Sequence, residues 1–171
     1  MKLKVQEYLE THNLEQLEEE HSLKVVQDGG LVLLGYKQIE SSGANEIQNE
    51  CRGLILENNT WNIVNFPFRR FFNFGEGFAS KKLDWNKAVA LEKLDGTLIS
   101  LWNYKDKWHV STRGMLYADG GVGDYGLTFR ELFEEAVAEH GGFDEFVKDL
   151  DEDYTFCFEL TSYKNRIVKD L

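Results

Sequence analysis

The sequence predicts an α+β protein that is mostly antiparallel sheets with flanking helices. Short runs of apolar and β-branched residues alternate with turn residues through the middle of the chain, a pattern typical of antiparallel hairpins. Helical signals stand on both sides of this region, before residue 23 and after residue 128. The 171 residues contain no internal repeat or low-complexity linker, and their number suits one domain rather than two. We therefore expect a single domain over residues 1–171.

The first element is an N-terminal helical segment over residues 1–22. The residues whose spacing is compatible with one amphipathic helix face are Leu3, Tyr8, Leu14, Leu17 and His21. The acidic run at 15–20 is expected to be the solvated face of this segment, because a run of like charges is normally exposed.

Strand-like runs begin at Leu23. The runs 23–27 and 31–36 flank Asp28-Gly29-Gly30, and this arrangement predicts a hairpin. Further strands are expected at 54–56, 61–66, 88–92, 98–103 and 108–112. Turn residues at 57–60 and 104–107 indicate that the strands on either side of them pair as hairpins.

Helices return near Thr128. Thr128 and Glu131 have the spacing of a capping box, which predicts a helix from there to about His140. Gly141-Gly142 should end that helix, because glycine readily adopts the left-handed conformation of a C-terminal cap. A second, short helix is expected over 143–150, and the chain should return to a strand over 154–161.

Composition excludes several classes of protein. No apolar run approaches the roughly 20 residues that cross a bilayer, and no long apolar stretch follows the N-terminal lysines as in a secretory signal. Cys51 and Cys157 make neither a disulfide framework nor a zinc site, and both are expected to be small buried residues. These features favour a cytoplasmic protein with no membrane partner.

The net charge of −11 bears on nucleic-acid binding. A protein that holds nucleic acid by its phosphates usually has a basic face, and this chain taken whole does not. Three interpretations stay open: local contacts to nucleic acid, contacts made by a part of the protein outside this sequence, or no contact at all.

The tetrapeptide Lys93-Leu94-Asp95-Gly96 stands between two apolar, strand-like runs. A lysine there is expected at the edge of a buried sheet, where partial burial and cationic neighbours lower its pKa and free the amine for nucleophilic attack. Asp95 is placed to orient the amine or accept its proton, and Gly96 permits a ligand to approach the backbone closely. The alternative is an ordinary surface turn, because Asp-Gly is a common turn dipeptide.

Four other segments accompany this motif. They are Glu50-Cys51-Arg52-Gly53-Leu54-Ile55, Phe66-Pro67-Phe68-Arg69-Arg70-Phe71-Phe72-Asn73, Ser111-Thr112-Arg113-Gly114, and the stretch 156–168 that begins Phe156-Cys157-Phe158-Glu159. Together with the lysine motif they resemble the ATP-dependent RNA ligase family typified by phage T4 RNA ligase 1, within the covalent nucleotidyltransferase superfamily of ligases and capping enzymes. The resemblance covers residues 50–168, the motif-bearing core.

The resemblance implies a nucleotidyltransferase (adenylation) domain that uses ATP and Mg²⁺ and joins RNA ends. Lys93 would attack the α-phosphate of ATP, with Asp95 as the second catalytic residue. The implied ATP-binding residues are Glu92, Lys93, Gly96, Arg52, Arg70, Arg113 and Glu159. The family places its base next to Phe-Phe-Asn, which selects Arg70 over Arg69. Asn165 and Arg166 are further candidates at the edge of the site.

The resemblance also implies that the domain is C-terminally incomplete. The family has two further motifs after the position of Glu159, one with an acidic metal ligand and one with a pair of lysines, and neither is found before residue 171. No metal ligand is therefore assigned within the chain. We expect the N-terminal part of an RNA ligase, which would meet RNA ends through the missing part.

Other interpretations stay open. A second polypeptide could supply the downstream motifs, or the chain could be a non-catalytic relic that binds ATP or a partner. A capping enzyme or DNA ligase is a further possibility, but the Phe-Phe-Asn segment resembles the RNA ligase branch more. Phe71, Phe72 and Phe74 are expected in the core rather than stacked on a nucleobase, because aromatic residues in such strands mostly pack.

Overall fold

A computed structural model describes residues 2–40 and 43–165 of the chain. Within these residues the protein is α+β with two antiparallel sheets, as the sequence predicts. The helices are α1 (Lys4–Leu9), α2 (Leu14–Glu20), α3 (Glu46–Glu50), α4 (Phe129–Val137) and α5 (Phe143–Val147), and a 3₁₀ turn spans Ala138–His140. The strands are β1 (Leu23–Asp28), β2 (Leu31–Tyr36), β3 (Arg52–Glu57), β4 (Ile63–Asn65), β5 (Thr97–Tyr104), β6 (Lys107–Thr112) and β7 (Phe156–Leu160).

Two tight hairpins organise the sheets, whose strand orders are β1-β2-β3-β4 and β6-β5-β7. Gly29 and Gly30 join β1 to β2 with φ of 56° and 85°, and Lys105 and Asp106 join β5 to β6 with φ of 53° and 61°. A two-residue turn with positive φ at both positions matches the twist of the strands that it joins. The hairpins predicted at these two places are confirmed.

Helices cover the outer face of the first sheet. Leu34, Leu54 and Leu56 of this sheet form one buried cluster with Leu9 of α1 and Leu17 of α2. Because successive strand residues point to opposite faces, the spacing of Leu54 and Leu56 places both on the helix side. Each fully buried side chain of this size stabilises the fold by roughly 1.5–3 kcal/mol relative to an exposed one.

Helices α4 and α5 cover the outer face of the second sheet in the same way. Ile99 and Leu101 of β5 cluster with Leu132 and Phe133 of α4 and with Val147 of α5. The predicted capping box begins α4: the Thr128 side chain accepts a hydrogen bond from the Glu131 N–H, and Glu131 accepts one from the Thr128 N–H. The helix prediction that rested on this motif is confirmed.

The inner faces of the two sheets pack against each other. Leu33 and Ile55 of the first sheet meet Trp102 of the second, and all three are fully buried. The indole N–H of Trp102 donates to Ser111 Oγ at 3.1 Å, so its polar atom is satisfied inside the core. The described chain is therefore a four-layer stack of helices, sheet, sheet and helices.

The helical segment predicted near the N-terminus is present as two short helices, α1 and α2, separated by a turn. One expectation about secondary structure was wrong. No strand forms over 88–92: among the described residues no strand pairs with this run, and Val89 and Leu91 are 80% and 85% exposed. Apolar residues alone do not make a strand, which needs a neighbour for its backbone hydrogen bonds. The sequence also gave no prediction of α3, a five-residue helix capped by Asn45.

The segment 66–96 contains turns but neither helix nor strand. It connects β4 of the first sheet to β5 of the second, and it carries the Phe-Phe-Asn and lysine motifs. Among the described helices, none has both the length and the apolar character to cross a membrane.

Candidate functional site

A β-bulge where β2 pairs with β3 determines the direction of Arg52. Leu34 pairs with Leu54, but the next residue, Gly35, pairs with Arg52, so Gly53 is an extra residue in β3. Gly53 has φ of 83°, a conformation that glycine adopts without strain. A one-residue insertion reverses the face on which the following side chain lies. Arg52 is thereby turned from the helix-covered face of the sheet toward the second sheet.

The turn after β6 packs directly on this bulge and carries Arg113. A Cβ added at Gly53 would lie 3.2 Å from the Arg113 Cα, and one added at Gly35 would lie 3.6 Å from the Arg113 carbonyl oxygen. Thr112 N donates to Met115 O at 3.0 Å and closes the turn. Two glycines in the first sheet thus allow the backbone of the second sheet to come close enough to place Arg113 beside Arg52.

Tyr36, at the end of β2, lies beneath two arginines. The guanidinium carbon of Arg70 is 4.6 Å from the centre of its ring, and that of Arg113 is 5.4 Å from it. The Arg70 backbone N–H donates to Asn49 O at 2.7 Å, which ties its segment to the end of α3. Contacts of a cation with a ring face contribute about 0.5–1 kcal/mol at partly exposed sites. They orient the two arginines without neutralising them.

Arg52 completes the group. Its guanidinium carbon lies 5.0 Å from the centre of the Phe71 ring, and its Nη1 is shielded from solvent without a hydrogen-bond partner in the described residues. Its charge also acts on the thiol of Cys157 of β7, on the inner face of the second sheet. Burial raises the pKa of the Cys157 thiol, while a hydrogen bond with Ser100 and the charge of Arg52 act in the opposite direction.

The arginines form a strongly positive locus. Arg70 and Arg113 each lie near the same ring, so their charges are at most about 10 Å apart, where two like charges repel by roughly 1.7 kcal/mol at an effective dielectric constant of 20. Within residues 2–40 and 43–165, no carboxylate forms an ion pair with Arg52 or Arg113. An anion bound among these side chains would relieve the repulsion and satisfy the orphan Nη1 of Arg52.

Arg69 has a different partner. Its Nη2 lies 3.2 Å from Glu50 Oε1, and the Glu50 side chain is only 2% exposed. The other carboxylate oxygen of Glu50 accepts the Val5 N–H at 3.0 Å, in the first turn of α1. Arg69 is therefore bound to a structural carboxylate, whereas Arg70 points to Tyr36.

The lysine motif is anchored at its glycine end. A Cβ at Gly96 would overlap the carbonyl oxygen of Leu160, so only glycine lets the chain lie against the end of β7. The next residue, Thr97, accepts a hydrogen bond from Asn165 Nδ2 at 3.0 Å, and the same amide nitrogen lies 3.0 Å from Leu160 O. Asn165, a candidate at the site edge, thus joins the start of β5 to the end of β7. Arg166 lies outside the described residues.

Lys93 itself is exposed, as are Glu92 and Asp95. The expectation that Lys93 is partly buried at a sheet edge is wrong for this structure, because the strand expected to precede it has no partner among the described strands. No hydrogen bond or ion pair of the Lys93 side chain is found within the part of the chain that the structure describes. The amine reaches solvent three residues before its Gly96 anchor.

Glu159 lies on β7, two residues after Cys157 and therefore on the same face, about 7 Å further along the strand. Phe156 and Phe158 pack on the opposite face with the core under α4 and α5, as the alternation of the strand predicts. Glu159 is exposed and pairs in register with Leu98 of β5. It stands beside the anchor of the lysine motif.

The structure brings the predicted arginines together, while Lys93 is exposed in the segment before Gly96. Arg52, Arg70 and Arg113 meet at the junction of the two sheets, and Gly96 and Glu159 lie together at the end of β7. Sequence analysis missed Tyr36 and Glu50, whose contacts come from segments far apart in the chain, and no local pattern marks either residue. It also placed Phe71 and Phe74 in the core, which was wrong: they are 66% and 77% exposed.

The chain is similar to known proteins over most of its length. Residues 50–170 match the family model described as RNA ligase. A protein of Autographa californica nuclear polyhedrosis virus, whose name assigns it polynucleotide kinase and RNA ligase activities, is 37% identical over 160 residues, which cover 85% of this chain and 23% of the viral protein. An RNA ligase of Rhodothermus phage RM378 is 27% identical over 148 residues, which cover 69% of this chain and 33% of the phage protein. The chain thus spans between about a quarter and a third of the length of these relatives.

Proposed function

Because this chain belongs to the RNA ligase family, we propose that it binds ATP and forms a covalent lysine–AMP intermediate at Lys93. The domain would then be an adenylation domain of the nucleotidyltransferase type. In the complete reaction, the AMP would pass to an RNA 5′-phosphate, which a 3′-hydroxyl then attacks. That joining of RNA ends is proposed for the whole protein, of which this chain would form the ATP-binding part.

The observation that carries the proposal is the cluster of Arg52, Arg70 and Arg113. Arginine holds phosphate oxygens in pairs with its planar fork, and it stays charged at every physiological pH. Three guanidiniums at one junction, two of them without ion pairs to described residues, suit the β- and γ-phosphates of a nucleotide. In a net-acidic chain such a cluster is not explained by general surface composition.

The proposed step is an in-line displacement at the α-phosphorus. The neutral amine of Lys93 forms a nitrogen–phosphorus bond while the bond from that phosphorus to the bridging oxygen breaks, and pyrophosphate leaves. Asp95, two residues away, would accept the proton that the amine loses. Negative charge grows on the leaving pyrophosphate, and the arginines would stabilise it there, which is the main contribution a protein makes to phosphoryl-type transfer.

For this step the exposed amine of Lys93 would have to reach the α-phosphate of a nucleotide held by the arginines. Three residues separate it from Gly96, so its Cα stays within about 11 Å of that anchor. A short segment that is fixed at one end can change position without unfolding the adjacent sheet. ATP bound among the arginines would favour the position in which Lys93 faces the nucleotide. Glu159 would then lie beside the same pocket, placed to accept hydrogen bonds from the ribose hydroxyls.

The described residues offer phosphate-binding side chains for ATP but no cluster of ligands for Mg²⁺. Mg²⁺ at such sites is commonly held by one or two carboxylates together with the substrate phosphates. Among the described residues, no group of three or more His, Cys, Asp or Glu side chains is arranged as a metal site. We therefore assign no step of the reaction to a metal held by this chain, and the phosphates of ATP together with water molecules would supply its ligands.

Label transfer tests the proposal. The protein is incubated with Mg²⁺ and with ATP labelled either at the α- or at the γ-phosphate, alone and together with the downstream region of the Rhodothermus phage relative. We expect stable label from α-labelled ATP and none from γ-labelled ATP, and we expect unlabelled ATP to compete better than GTP. No label from either nucleotide in either mixture would refute the adenylation reaction, and better competition by GTP would indicate a capping enzyme.

A non-catalytic ATP-binding module is the second candidate, and the exposed position of Lys93 favours it. Such a module would keep the arginine cluster and lose the reaction. It predicts saturable ATP binding by calorimetry without transfer of the α-label, even when the downstream region is added.

A further inference from the structure

The segment from Phe68 to Lys87, called here the aromatic–basic segment, differs in composition from the rest of the chain. It holds six aromatic residues and five basic against two acidic ones, whereas the whole chain has 30 acidic residues against 19 basic. Basic residues interleaved with aromatic ones are typical of surfaces that bind single-stranded nucleic acid. The segment is therefore locally basic, although the net negative charge of the whole chain argues against nucleic-acid binding.

The aromatic rings of this segment face solvent. Phe71, Phe74 and Trp85 are 66%, 77% and 68% exposed, and Phe78 is 51% exposed. Single exposed apolar residues need no explanation, but several large rings within twenty residues form a patch that a ligand would cover. Part of the patch is already ordered, because the Phe72 and Phe78 rings lie 5.8 Å apart and Arg70 lies on Phe72.

A cavity of about 500 Å³ opens within the segment, and Phe74 and Trp85 are among its lining residues. The two rings stand edge to face, with centres 5.6 Å apart and planes at 77°. Lys81 and Ser80 also line the cavity. The acidic residue in its lining is Glu76, whose two carboxylate oxygens accept hydrogen bonds from Asn73 at 2.7 and 2.9 Å. The volume is in the range of small-ligand pockets and suits one flat ring system.

We propose that this cavity binds an unpaired base of a single-stranded RNA, stacked on Trp85 or Phe74, while Lys81 and Lys82 bind the neighbouring phosphates. Neither lysine forms an ion pair with a described residue, so both charges are available to phosphate. The preference for RNA among nucleic acids rests on the proposed function. The nucleic acid itself rests on the composition and geometry of the segment.

A polypeptide partner is the competing occupant, since apolar rings also bind protein surfaces. Charge decides between the two. A peptide docking through apolar contact gains nothing from the adjacent lysines, whereas each phosphate neutralised by a lysine releases bound counterions and strengthens RNA binding. The segment also contains Arg70 near its start, so an RNA bound along it would lead toward the arginine cluster where the adenylated lysine is proposed to act.

Fluorescence anisotropy with a labelled single-stranded RNA of about 12 nucleotides tests the proposal in the absence of ATP. We expect Trp85→Ala and Phe74→Ala each to weaken binding about fivefold or more, because stacking of one base on one ring accounts for at least that factor. Tyr154→Ala, which removes a ring that is 63% exposed outside the segment, is the matched control and should leave binding unchanged.

A second set of variants, at lysines, tests the phosphate contacts. The double variant Lys81→Gln, Lys82→Gln should weaken binding, and it should lower the slope of log affinity against log salt concentration by an amount that corresponds to about two phosphate contacts. Lys24→Gln, which replaces an exposed lysine on β1, should change neither the affinity nor the slope. All six substituted positions are solvent-exposed, so circular dichroism spectra and melting temperatures should match those of the parent chain.

The proposal is overturned if the parent chain does not bind the RNA, if Trp85→Ala and Phe74→Ala bind it like the parent, or if Tyr154→Ala weakens binding equally. A change of oligomeric state in Trp85→Ala without a change in RNA affinity would also overturn it and would point to a protein partner. The RNA assay contains no ATP, so its failure leaves the label-transfer result untouched, and the converse holds as well.

Discussion

Arg69 and Arg70 are neighbours of the same type with different partners. Arg69 binds the buried carboxylate of Glu50, which also holds the first turn of α1, so this side chain belongs to the scaffold. Arg70 lies on Tyr36 and Phe72, in the cluster proposed for phosphate. The family resemblance selected Arg70, and the contact of Arg69 with Glu50 gives a physical reason for that choice. No local pattern in the sequence could reveal it, because Glu50 lies nineteen positions away from Arg69.

The two arginines should therefore respond oppositely to truncation. We expect Arg70→Ala to weaken ATP binding about tenfold to a hundredfold, the typical loss for a charge-assisted hydrogen bond. Arg69→Ala should leave ATP affinity within about threefold. It should lower the free energy of unfolding by roughly 2 kcal/mol, less than for a fully buried pair because Arg69 is 48% exposed. Calorimetric ATP titration and urea unfolding measure the two effects, and equal effects of both variants on ATP affinity would contradict the assignment.

Among the structural elements, the β3 bulge connects the backbone to the site. Gly53 is the extra residue, and it both turns Arg52 toward the second sheet and leaves room for the backbone of Arg113. The Arg-Gly pair was recognised from the sequence by resemblance, but the reason for its glycine appears only in the packing of the two sheets. A bulge depends on the register of two strands, and the hydrophobic pattern of one strand does not determine it.

Gly30 provides a matched control for Gly53. Both residues have φ near 85°, at 85° and 83°, but nothing lies within 4 Å of a Cβ at Gly30. Alanine at either position should therefore cost about 1–2 kcal/mol of backbone strain. Only Gly53→Ala should also displace Arg113 and weaken ATP binding several-fold. Chemical denaturation and ATP titration of the two variants separate strain from displacement, and unchanged ATP affinity in Gly53→Ala would refute the role of the bulge.

The remaining elements show what local sequence can predict. The β1–β2 and β5–β6 hairpins and the start of α4 followed from turn residues and a capping box, which act over a few positions. The strand expected at 88–92 did not form, because its pairing depends on a neighbour that the sequence pattern cannot supply. The helix α3 was missed because five residues are too few for a periodic pattern.

At the scale of the whole molecule, the site lies where two sheets meet face to face. Trp102 is fully buried at this junction and stacks on His109 of β6, with ring centres 4.6 Å apart. Burial lowers the pKa of His109, and the nearby charges of Arg130 and Lys107 lower it further. Contacts between the sheets determine the positions of Tyr36, Arg52 and Arg113, which explains why the motifs could be found in the sequence but their arrangement could not.

The lowered pKa of His109 makes stability depend on pH. Above the unfolded value of 6.5 the imidazole is neutral in both states, so its contribution to stability is complete. As the pH falls below that value, the unfolded chain takes up the proton first and the folded state loses stability, until the lower folded pKa is reached. Between about pH 7.5 and 5.5, the melting temperature of the parent should therefore fall more than that of His109→Gln. An equal fall in both proteins would show that His109 is not responsible.

The central claim is that Lys93 is the nucleophile. Mass spectrometry of proteolytic fragments after incubation with ATP and Mg²⁺, with the downstream region of a relative present, locates the modified residue. We predict one adenylyl group on the fragment that contains Lys93, and none in Lys93→Ala or in Lys93→Arg, which keeps the positive charge but has no neutral amine to attack. Both variants should still bind ATP. Absence of the adduct from the parent chain, an adduct on another residue, or an adduct in either variant would contradict the claim.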